Sequence, residues 1–401
     1  MSGIIIAAIV VLVALLFWIN RPVTITIDDK ETQVRIGSTI TEVFEGKHID
    51  VDPGNYISVT ERVLAKGSGH PFCATVNGNA LAHEDEASYC IEGGETITFE
   101  DGDDIMEGYS VVTESIAPYL AFYGTGTTIQ FVSQWPREGI LEHRTGTVSG
   151  EQVDVVTQET QDCIVTCRDF NLEGDRKYVA LTFDDGPSSP YTEQYLDILE
   201  RYGVRATFFF LGESVEQNPE LARKVVEAGH QVANHTMAHN QLTAVDGETV
   251  RAEVRRSAEV IERDCGVATT HLRPPYGDFT ERSWLATGGD VSASVRWSGD
   301  SEDWRLPGAD AIVENALVNV HSGTVILVHD GGGDRSQDVE ALPRLIERLQ
   351  GDGYEFVTVS DLMRAAGDIP EDVCSGSAAM PEGCTWPDEI APEDIEAASG
   401  T

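Results

Sequence analysis

Two adjacent carboxylates, Asp184 and Asp185, follow the apolar run 179–183 and precede Gly186-Pro187. Parallel-sheet and barrel enzymes collect their reactive groups at such strand ends. An Asp-Asp-Gly-Pro surface turn accounts for the same residues without chemistry. A second feature favours chemistry: His235 and His239 stand four apart in the segment 231–239. That spacing lets two imidazoles on one helical turn reach a common cation. Singly, they also read as core or capping histidines. Two histidines and one carboxylate make an open divalent site, with room for a water and a substrate oxygen. Zinc suits this donor set best, and cobalt, manganese or nickel also fit it.

Three further segments gain meaning from their company. In Leu272-Arg273-Pro274-Pro275-Tyr276-Gly277 the prolines force a rigid extended turn that Gly277 closes, a device that can aim a backbone N–H. Asp300-Ser301-Glu302-Asp303-Trp304 offers carboxylates beside an indole, and the apolar run 325–328 ends on His329.

The elements that must position these residues are strands alternating with helices. After the strand 179–183, Tyr191, Tyr195, Ile198, Leu199 and Tyr202 recur at helical spacing up to Gly203, and a strand over 204–210 follows. Further alternations at 219–233, 250–273 and 324–349 predict a parallel βα sheet or barrel.

In this order, the five motifs resemble the carbohydrate esterase family 4 polysaccharide deacetylases, the NodB homology domain, across roughly 176–366. The resemblance implies a distorted barrel of βα units. It makes Asp185, His235 and His239 the metal ligands, Asp184 the base that takes a proton from the attacking water, and His329 the acid that protonates the leaving amine. It gives the Tyr276 backbone N–H to the oxyanion. It pairs Arg273 with Asp184, with Arg205 as the alternative partner, and hydrogen-bonds Asp300 to His329. Leu327 walls the acetyl methyl, while Trp304 and Tyr276 present faces to a sugar ring. The implied activity is hydrolysis of N-acetyl groups from amino sugars of a polysaccharide, foremost peptidoglycan N-acetylglucosamine. Chitin-like or O-acetylated glycans are the alternatives within the family. A catalytically inactive wall-binding protein and a small-molecule amidohydrolase are the competing classes.

The rest of the chain frames this domain. Residues 22–115 show a hairpin around Asp28-Asp29-Lys30, a capping box at Thr39 and Glu42, and later strand-like runs, which together predict a β-rich, β-grasp-like module without a catalytic constellation. Residues 116–175 read as a β-type connecting region serving as lid or docking hairpin. From 369 the chain turns acidic and aperiodic, predicting an extended tail to 401. Residues 3–19 carry no charge, predicting one uncleaved transmembrane helix with the catalytic domain outside the cell, although Arg21 opposes the positive-inside rule.

With 68 acidic against 27 basic side chains, the net charge is −41, which repels a phosphate backbone and excludes nucleic acid as a partner. The seven cysteines lack the paired spacing of a zinc knuckle. In an exported chain, Cys73 with Cys90, Cys163 with Cys167 and Cys374 with Cys384 are candidate bridges, leaving Cys265 a free thiol, though spacing does not fix the connectivity. No oligomeric state follows from the sequence.

Overall fold

The computed structural model describes residues 2–377 and 379–392. The chain divides into two compact units, one of residues 1–114 with 141–157, the other of 115–140 with 158–401.

In the first unit, the Asp28-Asp29 pair takes left-handed backbone (φ 44° and 64°) and joins the antiparallel strands Pro22–Ile27 and Lys30–Arg35. That conformation matches the twist of a tight hairpin, and Asp tolerates it. The Thr39–Glu42 capping box forms in both directions and opens the helix Ile40–Lys47. The first strand also pairs in parallel with Thr96–Glu100, which lies antiparallel to Cys73–Val76. Ile25, Ile27, Ile40, Val43, Phe72 and Phe99 form the core between helix and sheet.

The uncharged N-terminal segment forms the helix Ser2–Trp18 of 17 residues. At 1.5 Å per residue it reaches about 25 Å, short of a hydrocarbon core of about 30 Å. Among the described residues, no helix is long and apolar enough to cross a membrane, which corrects the expected transmembrane span.

In the second unit, parallel strands run side by side in the order Gly299–Asp300, Thr324–His329, Lys177–Asp184, Thr207–Phe210, Gln231–Asn234, His271–Leu272 and Ala293–Val295. Strand alternation sorts their side chains. Val179, Leu181 and Phe183 join Phe208, Phe210, Tyr195, Ile198 and Leu199 in the core beneath the helices. Ala180 turns to the opposite core, with Phe209, Val325 and Val359. The apolar strand run is thus buried on both faces, the expected state of a parallel sheet under helical cover.

The sheet continues past Ala293–Val295 into Ile129–Gln134, Cys163–Arg168, Tyr119–Tyr123 and Glu389–Ile390. Much of the segment expected as a connector therefore extends this sheet. Part of the described tail is packed against the domain rather than solvated. Helix Glu371–Ser375 buries Val373 and Cys374, and the Trp386 indole N–H donates to the Leu285 carbonyl at 2.9 Å. Both are apolar anchors hidden in an acidic composition.

All seven cysteines are free thiols, so the expected bridges do not form. For Cys163 and Cys167 the reason is geometric: both lie on one strand. Four extended residues separate them by about 13 Å, beyond the roughly 7 Å that a disulfide spans.

Candidate metal and catalytic site

Register places the site at the carboxyl ends of two neighbouring strands. Thr182 pairs with Leu327 and Asp184 with His329. Residues two apart on a strand share a face, so Thr182, Asp184, Leu327 and His329 lie on the same side of the sheet. Leu327 is buried there, beside the candidate acid and base.

Asp184 is 2% exposed and Arg273 fully buried. Arg273 Nη1 donates to Asp184 Oδ1 at 2.7 Å and to Thr182 Oγ1 at 2.8 Å, while its Nε donates to the Val295 carbonyl at 3.1 Å. Its guanidinium also lies 4.0 Å from the Phe209 ring centroid. A buried guanidinium needs this many partners, because an unpaired charge in the interior is expensive. Arg205 takes no part in this. It pairs with Asp361 at 2.9 Å, which corrects its proposed alternative role.

Beside this clamp, donor atoms of Asp185, His235 and His239 all lie within 4.8 Å of one another. Asp185 Oδ1 stands 3.4 Å from Nε2 of each histidine and is buried without a hydrogen-bond partner. Burial raises the Asp185 carboxyl, but His235, with His329 and His239, outweighs it and holds the group well below the ordinary carboxylate range. His235 Nδ1 donates to the Arg273 carbonyl at 2.7 Å, so its Nε2 lone pair faces the cluster. An orphaned buried carboxylate oxygen and two imidazole nitrogens converging on one point fit a divalent cation. Asp185 (φ 72°), His239 (φ 58°) and Tyr276 (φ 60°) hold left-handed backbone, a cost that clusters at working sites.

Opposite the clamp, Asp303 holds His329. His329 Nδ1 donates to Asp303 Oδ1 at 2.8 Å, and the His329 backbone N–H donates to Asp303 Oδ2 at 2.7 Å. Burial works against protonating this imidazole, yet Asp303, reinforced by Asp184 and Asp185, lifts it to about 9. The carboxylate expected here was Asp300, which instead accepts from the Glu302 backbone N–H at 2.8 Å. After the strand Gly299–Asp300 the chain turns through left-handed Glu302 into the short helix Asp303–Arg305, folding Asp303 under the imidazole. The segment holds three acids, and only this turn decides which one reaches His329.

Two aromatic residues border the site in the open. Tyr276 is 66% exposed and Trp304 52% exposed. Tyr276 meets the His239 ring edge-on at 4.7 Å, in a turn closed by the Gly277 and Asp278 N–H groups on the Pro274 and Pro275 carbonyls.

Sequence reasoning passed over Asp330. It is buried, with Oδ1 unpartnered, and Oδ2 accepts from Thr192 Oγ1 at 2.5 Å. Burial, with Asp185 and Asp184 nearby, pushes its carboxyl up to about 7. Gly186 lies against it so tightly that a Cβ would come 2.2 Å from Asp330 Oδ2.

The Polysaccharide deacetylase family model matches residues 171–288. A peptidoglycan-N-acetylglucosamine deacetylase of Bacillus cereus is 37% identical over 49% of this chain and 92% of its own length. A chitooligosaccharide deacetylase of Sinorhizobium fredii is 40% identical over 44% of this chain and 87% of its own. A solved peptidoglycan N-acetylglucosamine deacetylase, 37% identical, covers 49% of this chain and 92% of its own, with a TM-score of 0.46. Identity at this level across nearly whole relatives makes the chain a member of the polysaccharide deacetylases, carbohydrate esterase family 4 hydrolases.

Proposed function

We propose that the protein hydrolyses N-acetyl groups from amino sugars of an extracellular polysaccharide, with N-acetylglucosamine of peptidoglycan as substrate. The observation that carries this reading is the pairing of Asp184 with His329 on adjacent strands, beside the donor cluster of Asp185, His235 and His239. The names of the similar proteins support the substrate class, chitooligosaccharide included.

A divalent cation, zinc by choice of donors, would be held by Asp185, His235 and His239, supplying Lewis acidity and lowering the pKa of water. Asp184, held in place by Arg273, takes the proton from the water that attacks the acetamide carbon. The Tyr276 backbone N–H donates to the carbonyl oxygen as it gains charge. His329 Nε2 delivers a proton to the departing amine, while Asp303 fixes the tautomer through Nδ1. Leu327 borders the methyl, and the exposed Tyr276 and Trp304 flank a sugar ring.

The first unit is, in this reading, a β-grasp-like module that presents the enzyme to its polymer. In the same reading the catalytic domain works outside the cell.

Acetate release from purified peptidoglycan by the full chain tests the reading. Release that requires added zinc and disappears in Asp184→Asn is expected. Absence of acetate from peptidoglycan, chitin oligomers and acetylxylan, with metal bound, overturns it in favour of a wall-binding protein.

A further inference from the structure

Residues 22–115, whose spacing reveals no constellation, nevertheless gather three metal-type donors in the fold. Cys73 opens the strand Cys73–Val76, His83 opens the short helix His83–Asp85, and Asp103 lies in the loop after Thr96–Glu100. Their donor atoms lie within 4.8 Å of one another. His83 Nε2 stands 3.1 Å from Asp103 Oδ2.

The surroundings hold these donors in place. Glu86, 6% exposed, engages His83 Nδ1 at 2.8 Å, so Nε2 remains the ring's ligand atom. A carboxylate behind a histidine orients the ring and raises its basicity in metal sites. The His70 ring stacks on His83 with centroids 3.6 Å apart and planes at 6°, which fixes the imidazole plane. Asp103 is pinned through its backbone: the His70 N–H donates to its carbonyl at 2.8 Å. Gly54 and Gly69 pack on that carbonyl so closely that a Cβ would fall 2.0 or 2.6 Å from it.

We propose that Cys73, His83 and Asp103 form a second divalent-cation site, of thiolate, imidazole and carboxylate donors, suited to zinc. A thiolate selects against magnesium and calcium, and imidazole with carboxylate completes a borderline set with an open position. Cys73 enters by losing its thiol proton to solvent. A bound ion ties together a strand, a helical turn and a loop that are distant in sequence, and so stabilises this unit.

Cobalt titration of the full chain separates this site from the other. Thiolate bound to Co2+ gives a near-ultraviolet charge-transfer absorption, which the oxygen and nitrogen donors of Asp185, His235 and His239 do not give. The absorption is expected to appear in the native chain, to vanish in Cys73→Ser, and to persist in His235→Ala. Glu86→Gln should weaken cobalt affinity at this site by about 10- to 100-fold. Asp103→Asn, a change on a largely exposed side chain, gives an independent loss if Cys73→Ser misfolds. No such absorption in the native chain, or an absorption unchanged in both Cys73→Ser and Asp103→Asn, overturns the proposal. Neither outcome depends on the first cluster binding metal.

Discussion

Asp303 clasps His329 twice, through Oδ1 to the imidazole Nδ1 at 2.8 Å and through Oδ2 to the backbone N–H at 2.7 Å. One carboxylate thereby sets the position, the tautomer and the basicity of the candidate acid.

Asp303→Asn should therefore cut kcat by about 10²- to 10⁴-fold, the usual worth of a positioned proton donor. His329 is raised to about 9, so its proton is present below that pH and is lost above it. The basic limb of kcat should lie at or below about 9 in the native protein, because a bound cation adds like charge, and should move toward neutrality in the variant. Asp300→Asn should leave that limb in place. A pH–rate profile of the three proteins decides the matter.

The same shift links to stability. In metal-free protein, a His329 pKa of about 9 against an ordinary value of 6.5 stabilises the fold fully below about pH 6.5, and the contribution fades as pH rises through about 9. The extra stability should be on the order of 3 kcal/mol. Urea unfolding of metal-free protein at pH 6 and pH 9.5, with and without Asp303→Asn, measures it.

Arg273→Met should destabilise the fold by about 3–5 kcal/mol, since it strands the buried Asp184 carboxylate. Arg273→Lys should not restore activity, because an ammonium cannot serve Asp184, Thr182 and the Val295 carbonyl together from one planar fork. Denaturant midpoints and acetate assays test the two halves separately.

Gly186→Ala should cost about 1–3 kcal/mol, because the added methyl meets Asp330 Oδ2 at 2.2 Å. Combining it with Asp330→Ala should recover much of the loss, and the double-mutant cycle reads the coupling.

Trp304→Ala should raise KM for the polymer with a smaller effect on kcat and little on the melting temperature, as expected when an exposed face binds ground state and transition state alike. Steady-state kinetics on chitin oligomers of increasing length would show the effect.

Patterns that a single stretch of chain imposes were legible without coordinates. Alternating strand and helix periodicity, a carboxylate pair ending an apolar run, two histidines four apart and an Arg-Pro-Pro turn all follow from local geometry. They singled out Asp184, Asp185, His235 and His239, the family resemblance added Arg273 and His329, and the fold brings these together. The hairpin at Asp28-Asp29 and the capping box at Thr39 and Glu42 were legible for the same reason: each satisfies its own backbone within a few residues.

What tertiary structure alone decided involves groups whose separation along the chain carries no information about distance in space. The left-handed turn at Glu302 chose Asp303 over Asp300. Burial, with Asp185 and Asp184 nearby, pushed the Asp330 carboxyl up to about 7. The pairing of Tyr119–Tyr123 with Cys163–Arg168 turned an apparent connector into sheet, and kept Cys163 and Cys167 apart on one extended strand. Cys73, His83 and Asp103 met because Gly54 and Gly69 let one backbone loop press against another. Sequence determined what each segment would do by itself; the packing of segments against one another determined which side chains meet, since contact energy is spent in space and not along the chain.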